Sequence, residues 1–424
     1  MVAKPYLWTD GATLEEHSRR KLKILREYFA RYLAVRCQFP QQSRFRLAIV
    51  DGFAGGGRYV DGSPGSPLVF VEELRAATET FNLRRASEGM AALEIECLLL
   101  ANDESREAIE LLKSHLEPYR AEIIQSVPRL HLQVEYSCNE FEQTYPSIKE
   151  KLECGSYKNV LFNLDQCGHS DVKRSTLRDI IDSFRSAEVF YTFMIKSLLA
   201  FLQKSDPRKF REQLSYLALT DSDLKLLEAQ MSNKTWLGTA ERIVFSAFMS
   251  CAAYVSPFSI HNPDGWQYWL IHFAGSVRAR QEYNNVLHNN SSMQAHFGRS
   301  GLEMLSFNPT HSKNSLYLFD PPGRAEAKEQ LFDDIPRFVS KYGDAISVNE
   351  FYENIYNTTP AHADDIHEAI IENPDLEVIT EAGGARRSAK TIGSGDILRL
   401  KRQKSFFPAF FSEEKRVGLK TRPG

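Results

Sequence analysis

Hydrophobic positions in the first half of the chain form short continuous runs separated by stretches of helical period. Leu14 to Val35 carries Leu22, Leu25, Tyr28, Phe29, Tyr32 and Leu33 at spacings of three and four. That is the stripe of an amphipathic helix, and Thr13 with Glu16 resembles a capping box at its start. Arg46 to Val50 (RLAIV) is wholly apolar after its first residue and stops at Asp51-Gly52, as a strand buried on both faces would. Four more such runs follow: Glu94 to Leu100, Leu130 to Glu135, Asn159 to Leu164 and Glu188 to Met194. Helical patterns separate them, one from Leu68 to about Leu83. Strands that alternate with helices predict an α/β fold with a parallel sheet covered on both faces.

A last pair of runs, Ala253 to Ile260 and Trp266 to Phe273, is joined by His261-Asn262-Pro263-Asp264-Gly265 and reads as a closing antiparallel hairpin. Residues 195–250, mostly helical in pattern, interrupt the order before that hairpin and read as an insertion. From Asn284 to Pro322 the pattern weakens. Ser347 to Tyr356 and Ala361 to Asn373 then read as helices, and Leu376 to Glu381 and Ile397 to Leu400 as strands around a Gly/Arg/Ser-rich loop. Two helices followed by a β-wing predict a winged helix. The organisation expected is a sheet domain over 1–325 with a helical insertion at about 195–250, a winged-helix domain over 343–402 and a basic tail over 403–424.

A length of 424 residues exceeds one ordinary core, which agrees with that division. The net charge of −3 gives no global sign of a phosphate-tracking protein. The end of the chain differs: residues 382–424 hold eleven Lys and Arg against three Asp and Glu, a local excess of eight. Arg386, Arg387, Lys390, Arg399, Lys401 and Arg402 are the candidates for phosphate contact, the alternative being a solvated basic tail. Six scattered cysteines without CxxC pairs argue for reduced thiols and against a zinc site. No uncharged apolar run approaches the roughly 20 residues that span a bilayer, and no signal pattern opens the chain. A cytoplasmic protein without a membrane segment is expected.

The chemistry concentrates in Asp51-Gly52-Phe53-Ala54-Gly55-Gly56-Gly57, between a buried strand and a helix. Glycines there permit a tight turn and close approach of backbone to a ligand, and the next helix offers free N–H groups. The Asp-x-Phe-Ala-Gly form resembles motif I of S-adenosylmethionine-dependent DNA and RNA methyltransferases. A carboxylate at the tip of the second strand would reach ribose hydroxyls, with Asp103 the first candidate and Glu104 the second. Either one could instead serve only to cap the following helix. Asn139, after the third strand, stands where an adenine contact belongs. The fourth strand ends in Asn163-Leu164-Asp165-Gln166-Cys167-Gly168-His169. Amino-methyltransferases place Asp/Asn-Pro-Pro-aromatic at that tip to hold a target amine; here the prolines and the ring are missing. Phe319-Asp320-Pro321-Pro322-Gly323 looks like such a motif but follows the hairpin, and is read as a boundary turn.

The order of these segments resembles the three-Cys-motif partner (TcmP) proteins of bacteria. The resemblance is carried by the N-terminal helix with Lys21 and Tyr28, VDGFAGGGRY, GSPGSPL at Gly62 to Leu68, LFNLDQCGH, YVSPFSI, YWLIHF and the Arg278-Ala279-Arg280 helix start. It implies a Rossmann-like methyltransferase fold encoded beside a three-cysteine, radical-enzyme-like partner protein, with S-adenosyl-L-methionine as cofactor. On this reading Asp51, Gly52, Phe53, Ala54, Gly55, Gly57, Asp103, Glu104, Asn139 and Asp165 line the cofactor site. Asp165 matches the family's aspartate and is the catalytic candidate, with His169 as helper. Gln166-Cys167 departs from the family's proline and aromatic residue. Two functions therefore stay open: methyl transfer to DNA or RNA, or a nucleotide-binding adaptor that recruits nucleic acid or a partner.

Overall fold

The structure, a computed structural model, describes residues 8, 11–204, 206, 209–230, 236–261, 267–290, 293–294, 301–304 and 319–401. Helix α1 (Glu16–Arg36) precedes β1 (Arg44–Asp51), and α2 (Ser66–Ser87), α3 (Arg106–Ser126), α4 (Phe141–Cys154) and α5 (Arg174–Ser183) connect β1 to β2 (Glu94–Asn102), β3 (Leu130–Ser137), β4 (Asn159–Leu164) and β5 (Ser186–Phe193). These five strands are parallel, and β6 (Tyr254–His261), β7 (Gln267–Ala274) and the short β8 (Met293–Gln294) add antiparallel strands, giving the order β3-β2-β1-β4-β5-β7-β6-β8. The capping box expected from Thr13 does not form: Glu15 is the N-cap of α1, and no side chain caps it.

Burial on both faces explains the unbroken apolar runs. On one side of β1, Leu47 and Ile49 join a core with α1, α2 and α3; on the other, Ala48 and Val50 join a second core with α4 and α5. The insertion is helical, with α6 (Ile195–Lys204), α7 (Phe210–Gln213), α8 (Asp221–Gln230) and α9 (Trp236–Met249), and Leu198, Leu214, Leu224 and Val244 belong to the second core. The residues around the β6–β7 turn, 262–266, lie outside the described set. No helix of the described residues is long and apolar enough to cross a membrane.

The C-terminal part is a winged-helix arrangement. Helix α11 (Pro321–Ser340) packs against α13 (Ala363–Glu372), while β9 (Ala345–Ser347), α12 (Val348–Ile355), β10 (Leu376–Ile379) and β11 (Ile397–Leu400) complete it, with sheet order β10-β11-β9. Sequence patterning showed neither α11 nor β9. The Asp-Pro-Pro-Gly stretch starts α11: Asp320 accepts a hydrogen bond from Gly323 N at 2.9 Å, and the prolines fill positions where no N–H is needed.

This unit is fastened to the sheet domain through α10 (Val277–His288) and β6. Asn357 Oδ1 accepts from Val255 N (3.0 Å) and its Nδ2 donates to Ala253 O (2.5 Å). Arg280 Nε donates to Tyr356 O at 3.0 Å, and His288 Nε2 lies 3.0 Å from Pro360 O. Ile346, Phe351, Ile366 and Leu398 continue the first core. Replacing Asn357 with Ala strands the N–H of the buried Val255, while the exposed Ala253 carbonyl can turn to water, so Asn357→Ala is expected to lower stability by about 1–3 kcal/mol. Denaturant unfolding measures the loss, with faster amide exchange across α12 and α13. A wild-type curve and unchanged exchange would deny Asn357 this docking role.

Candidate functional site

The sheet order reverses at β1, with β2 and β3 on one side and β4 and β5 on the other, which makes the carboxyl ends of β1 and β4 a topological switch point. The turn after β1 begins at Asp51, which is fully buried. Asn163 Nδ2, from the tip of β4, donates to Asp51 Oδ1 at 3.3 Å, while the buried Oδ2 accepts no hydrogen bond. Burial drives the Asp51 carboxyl up to about 7, helped by the nearby Asp165 charge and opposed by Ser66, Asn163 and the Phe53 backbone.

Gly52 N donates to Asn163 O and Ala54 N to Asn102 O, at 2.9 and 2.8 Å, so the turn is bound to both neighbouring strand ends. Gly55 and Gly57 have φ of +61° and +86°, which a side chain would strain. The space beside Gly55 and Gly56 is filled by the Trp8 indole: a Cβ on either would stand 2.4 and 2.6 Å from that ring. The close approach expected of a ligand is therefore made here by Trp8. Phe53 packs near Phe141, with ring centres 6.1 Å apart. Residues 58–64 fold back on the turn, with Gly65 N donating to Gly57 O at 2.7 Å. The GSPGSP loop thus borders the glycine turn.

Asp103 bridges two loops by accepting from Gly55 N and Ser105 N, both at 2.9 Å, and burial raises its carboxyl above the usual range. Glu104 and Asn139 are exposed at the rim. Between them and the core lies Asn102, 1% exposed: its Nδ2 donates to Gly52 O and Asn139 O, and its Oδ1 accepts from Ser137 and Thr144. It ties three strand ends together. A polar residue closing an apolar strand was the signal for it.

At the tip of β4, Asp165 Oδ1 accepts from Lys21 Nζ at 2.5 Å. The sequence held a signal for this lysine as well, since Lys21 lies on the same stripe as Leu25, Tyr28 and Tyr32, where a charge is buried with them. Beside it His17 stacks on Tyr268 with centres 4.5 Å apart, and burial with the Lys21 charge lowers its imidazole to about 4. Gln166 is 1% exposed and locked: its Nε2 donates to Tyr191 OH (2.8 Å) and its Oε1 accepts from Asp171 N and Val172 N. His169 turns to the insertion, 2.8 Å from Tyr216 OH through Nδ1 and among the rings of Phe193, Phe201 and Tyr216. It is not among the residues that line the cavity at Asp165.

The basic residues divide into paired and free. Arg386 makes a two-point ion pair with Asp396 (2.9 and 3.1 Å), Arg399 pairs with Glu377 (2.9 Å), and Lys401 Nζ donates to Pro374 O. Arg387 and Lys390 are exposed in the wing loop, without an ion pair among the described residues. Arg402 and the tail lie outside the described residues. On α13, Asp365, Glu368 and Glu372 face Arg324 and Lys328 of α11.

Residues 306–383 match a family model described as a GMT-like wHTH domain, a match that takes in α11 and ends in the wing loop. No curated protein matches the chain.

The Asp51 carboxyl carries a pH signature. Its folded value stands above the unfolded one, so its contribution to stability is fully present below about 4 and is lost as pH rises through about 7. Relative to Asp51→Asn, wild-type stability is expected to fall across that interval by on the order of a few kcal/mol. Urea midpoints at several pH values test this; parallel pH curves for the two proteins would contradict it.

Proposed function

We propose that the chain is an S-adenosylmethionine-dependent methyltransferase-like protein that acts on nucleic acid together with a three-Cys-motif partner protein. The observation that carries the reading is Asp51: a buried carboxylate oxygen without a hydrogen bond, at the head of a turn with two positive-φ glycines, at the switch point of the sheet. The antiparallel β7 lodged between β5 and β6 is also what a methyltransferase sheet leads one to expect.

The residues at the strand ends fit such a ligand chemically. The unused Asp51 oxygen suits a cationic donor, and each oxygen of Asp103 keeps a lone pair for a ribose hydroxyl beyond the backbone bond it already accepts. Gly55 and Gly57 keep the turn narrow, and Glu104 and Asn139 stand at the rim. When bound, the sulfonium supplies an activated methyl group. Asp165 would orient an acceptor and receive its proton, catalysis here resting on positioning. The matched winged-helix segment hints at nucleic-acid binding, and Arg387 and Lys390 are the free charges through which the wing would meet phosphates. Of the acidic residues of α13, Asp365, Glu368 and Glu372 are paired with α11 while Asp364 stays exposed, a composition poor for base-edge readout.

A second reading, a nucleotide-binding adaptor without turnover, is favoured by the tip of β4, where Lys21 already engages Asp165 and both ends of the Gln166 amide are bonded in holding the loop.

Calorimetry with S-adenosylmethionine tests the ligand, and release of S-adenosylhomocysteine with mixed nucleic acids separates enzyme from adaptor. Binding is expected to weaken as pH falls through about 7, where Asp51 takes up its proton and loses its attraction for a cation, and Asp51→Asn should abolish that dependence. No heat of binding at any pH would dispose of the ligand assignment. Nucleic-acid affinity should fall with salt, with a log–log slope of about −0.9 per phosphate contact on duplex DNA. An Arg387→Glu, Lys390→Glu variant should lose affinity and flatten that slope; equal affinity of the two proteins moves the contact away from the wing.

A further inference from the structure

The wall of a small cavity at the tip of β4 carries an amine. Lys21 reaches it from α1, 144 residues away in sequence, and sets its ammonium 2.5 Å from Asp165 Oδ1 with only 10% of the side chain exposed. Leu25, Phe190 and Leu270 line the apolar part of this cavity, and Ser66, Asn163 and Thr192 add polar groups. The space left is about 10 Å³, room for roughly one water.

Packing alone gives little reason for a cation here. The neighbouring stripe positions Leu25, Tyr28 and Tyr32 bury apolar or aromatic groups, and taking the Lys21 ammonium from water has a cost that its pairing with the one-third-exposed Asp165 must offset. A carboxylate at the head, an amide and hydroxyls beside it and an apolar wall are together complementary to a carbon-bound amino group.

We propose that this pocket is the acceptor site, that it takes an amino nitrogen in preference to a hydroxyl or a carbon, and that Lys21 is its internal occupant, which an acceptor must displace. What happens to the acceptor rests on the methyltransferase reading; the binding of an amine does not. In the transfer, the bound ammonium first gives a proton to Asp165, which passes it to water, and the lone pair so freed on nitrogen forms the bond to the methyl carbon as the carbon–sulfur bond breaks. The sulfur keeps that bond's electron pair and leaves as a neutral thioether.

Lys21→Ala deletes three carbons and the amine, the shape of n-propylamine, which serves as the probe. The full-length variant is expected to bind n-propylammonium by calorimetry and to show a Tm that rises with the logarithm of its concentration. 1-Propanol should give no such rise, nor should amine with the Lys21→Ala, Asp165→Asn double variant or with Lys21→Met, which keeps the space filled. If Lys21→Ala does not fold in plain buffer, the same series is read as recovery of its cooperative transition by amine. No response of Lys21→Ala to amine, or an equal response to 1-propanol, overturns the amine site. With S-adenosylmethionine added, mass spectrometry should find N-methylpropylamine. Amine binding without that product would sink the transfer reading while leaving the amine site standing.

Discussion

Everything at the candidate site depends on β1 being hydrogen-bonded on both sides by parallel neighbours. Because β2 and β4 flank it, its last residue is carried into the interior before the chain can turn, and Asp51 arrives with no water to solvate it. The turn that follows has no freedom to spread. Its amides are taken by the ends of β2 and β4, Gly55 and Gly57 adopt φ values that would strain other residues, and Asp103 and Asn102 stitch it to the next strand. A narrow, rigid rim with one buried acceptor left over is the physical result.

The N-terminal segment changes the character of that rim. Trp8 covers the glycines and Lys21 engages Asp165, while Arg19 pairs with Asp61 and Val60 N donates to Ala12 O. One segment thus crosses both halves of the cleft. Two residues expected to act together, Asp165 and His169, are meanwhile separated in role: one faces α1 and the other is held in an aromatic nest by the insertion. A loop that leaves a strand tip can send successive side chains to different layers, and spacing of four in sequence says nothing about which layer each meets.

The winged helix is part of the body of the protein, since the connection between α12 and α13 is bonded to α10 and β6 and the two units share a core. Charge has been used internally as well. The acidic side of α13 meets Arg324 and Lys328, and Arg386 and Arg399 serve the base of the wing, so a basic count taken from the sequence overstates the charge presented to a partner.

What the sequence determined by itself was local. Runs such as RLAIV and NVLFNL announce doubly buried strands because both faces must be apolar, and the glycine turn is legible because glycine adopts a positive φ without the strain that a side chain brings. The tip of each strand could be named, and with it Asp51, Asp103 and Asp165. Tertiary structure alone decided which partners these carboxylates meet. Lys21 and Asp165 are 144 positions apart, Trp8 reaches Gly55 across the intervening helix and strand, and Gln166 became a structural tie because Tyr191 happens to lie on the adjacent strand. Helix α11 escaped notice because its apolar side, Ala327, Leu331, Ile335 and Val339, is a single narrow stripe that has meaning only against α13 and the wing sheet. Contacts between residues distant in sequence are set by how layers pack, and periodicity within one element carries no record of the element that will cover it.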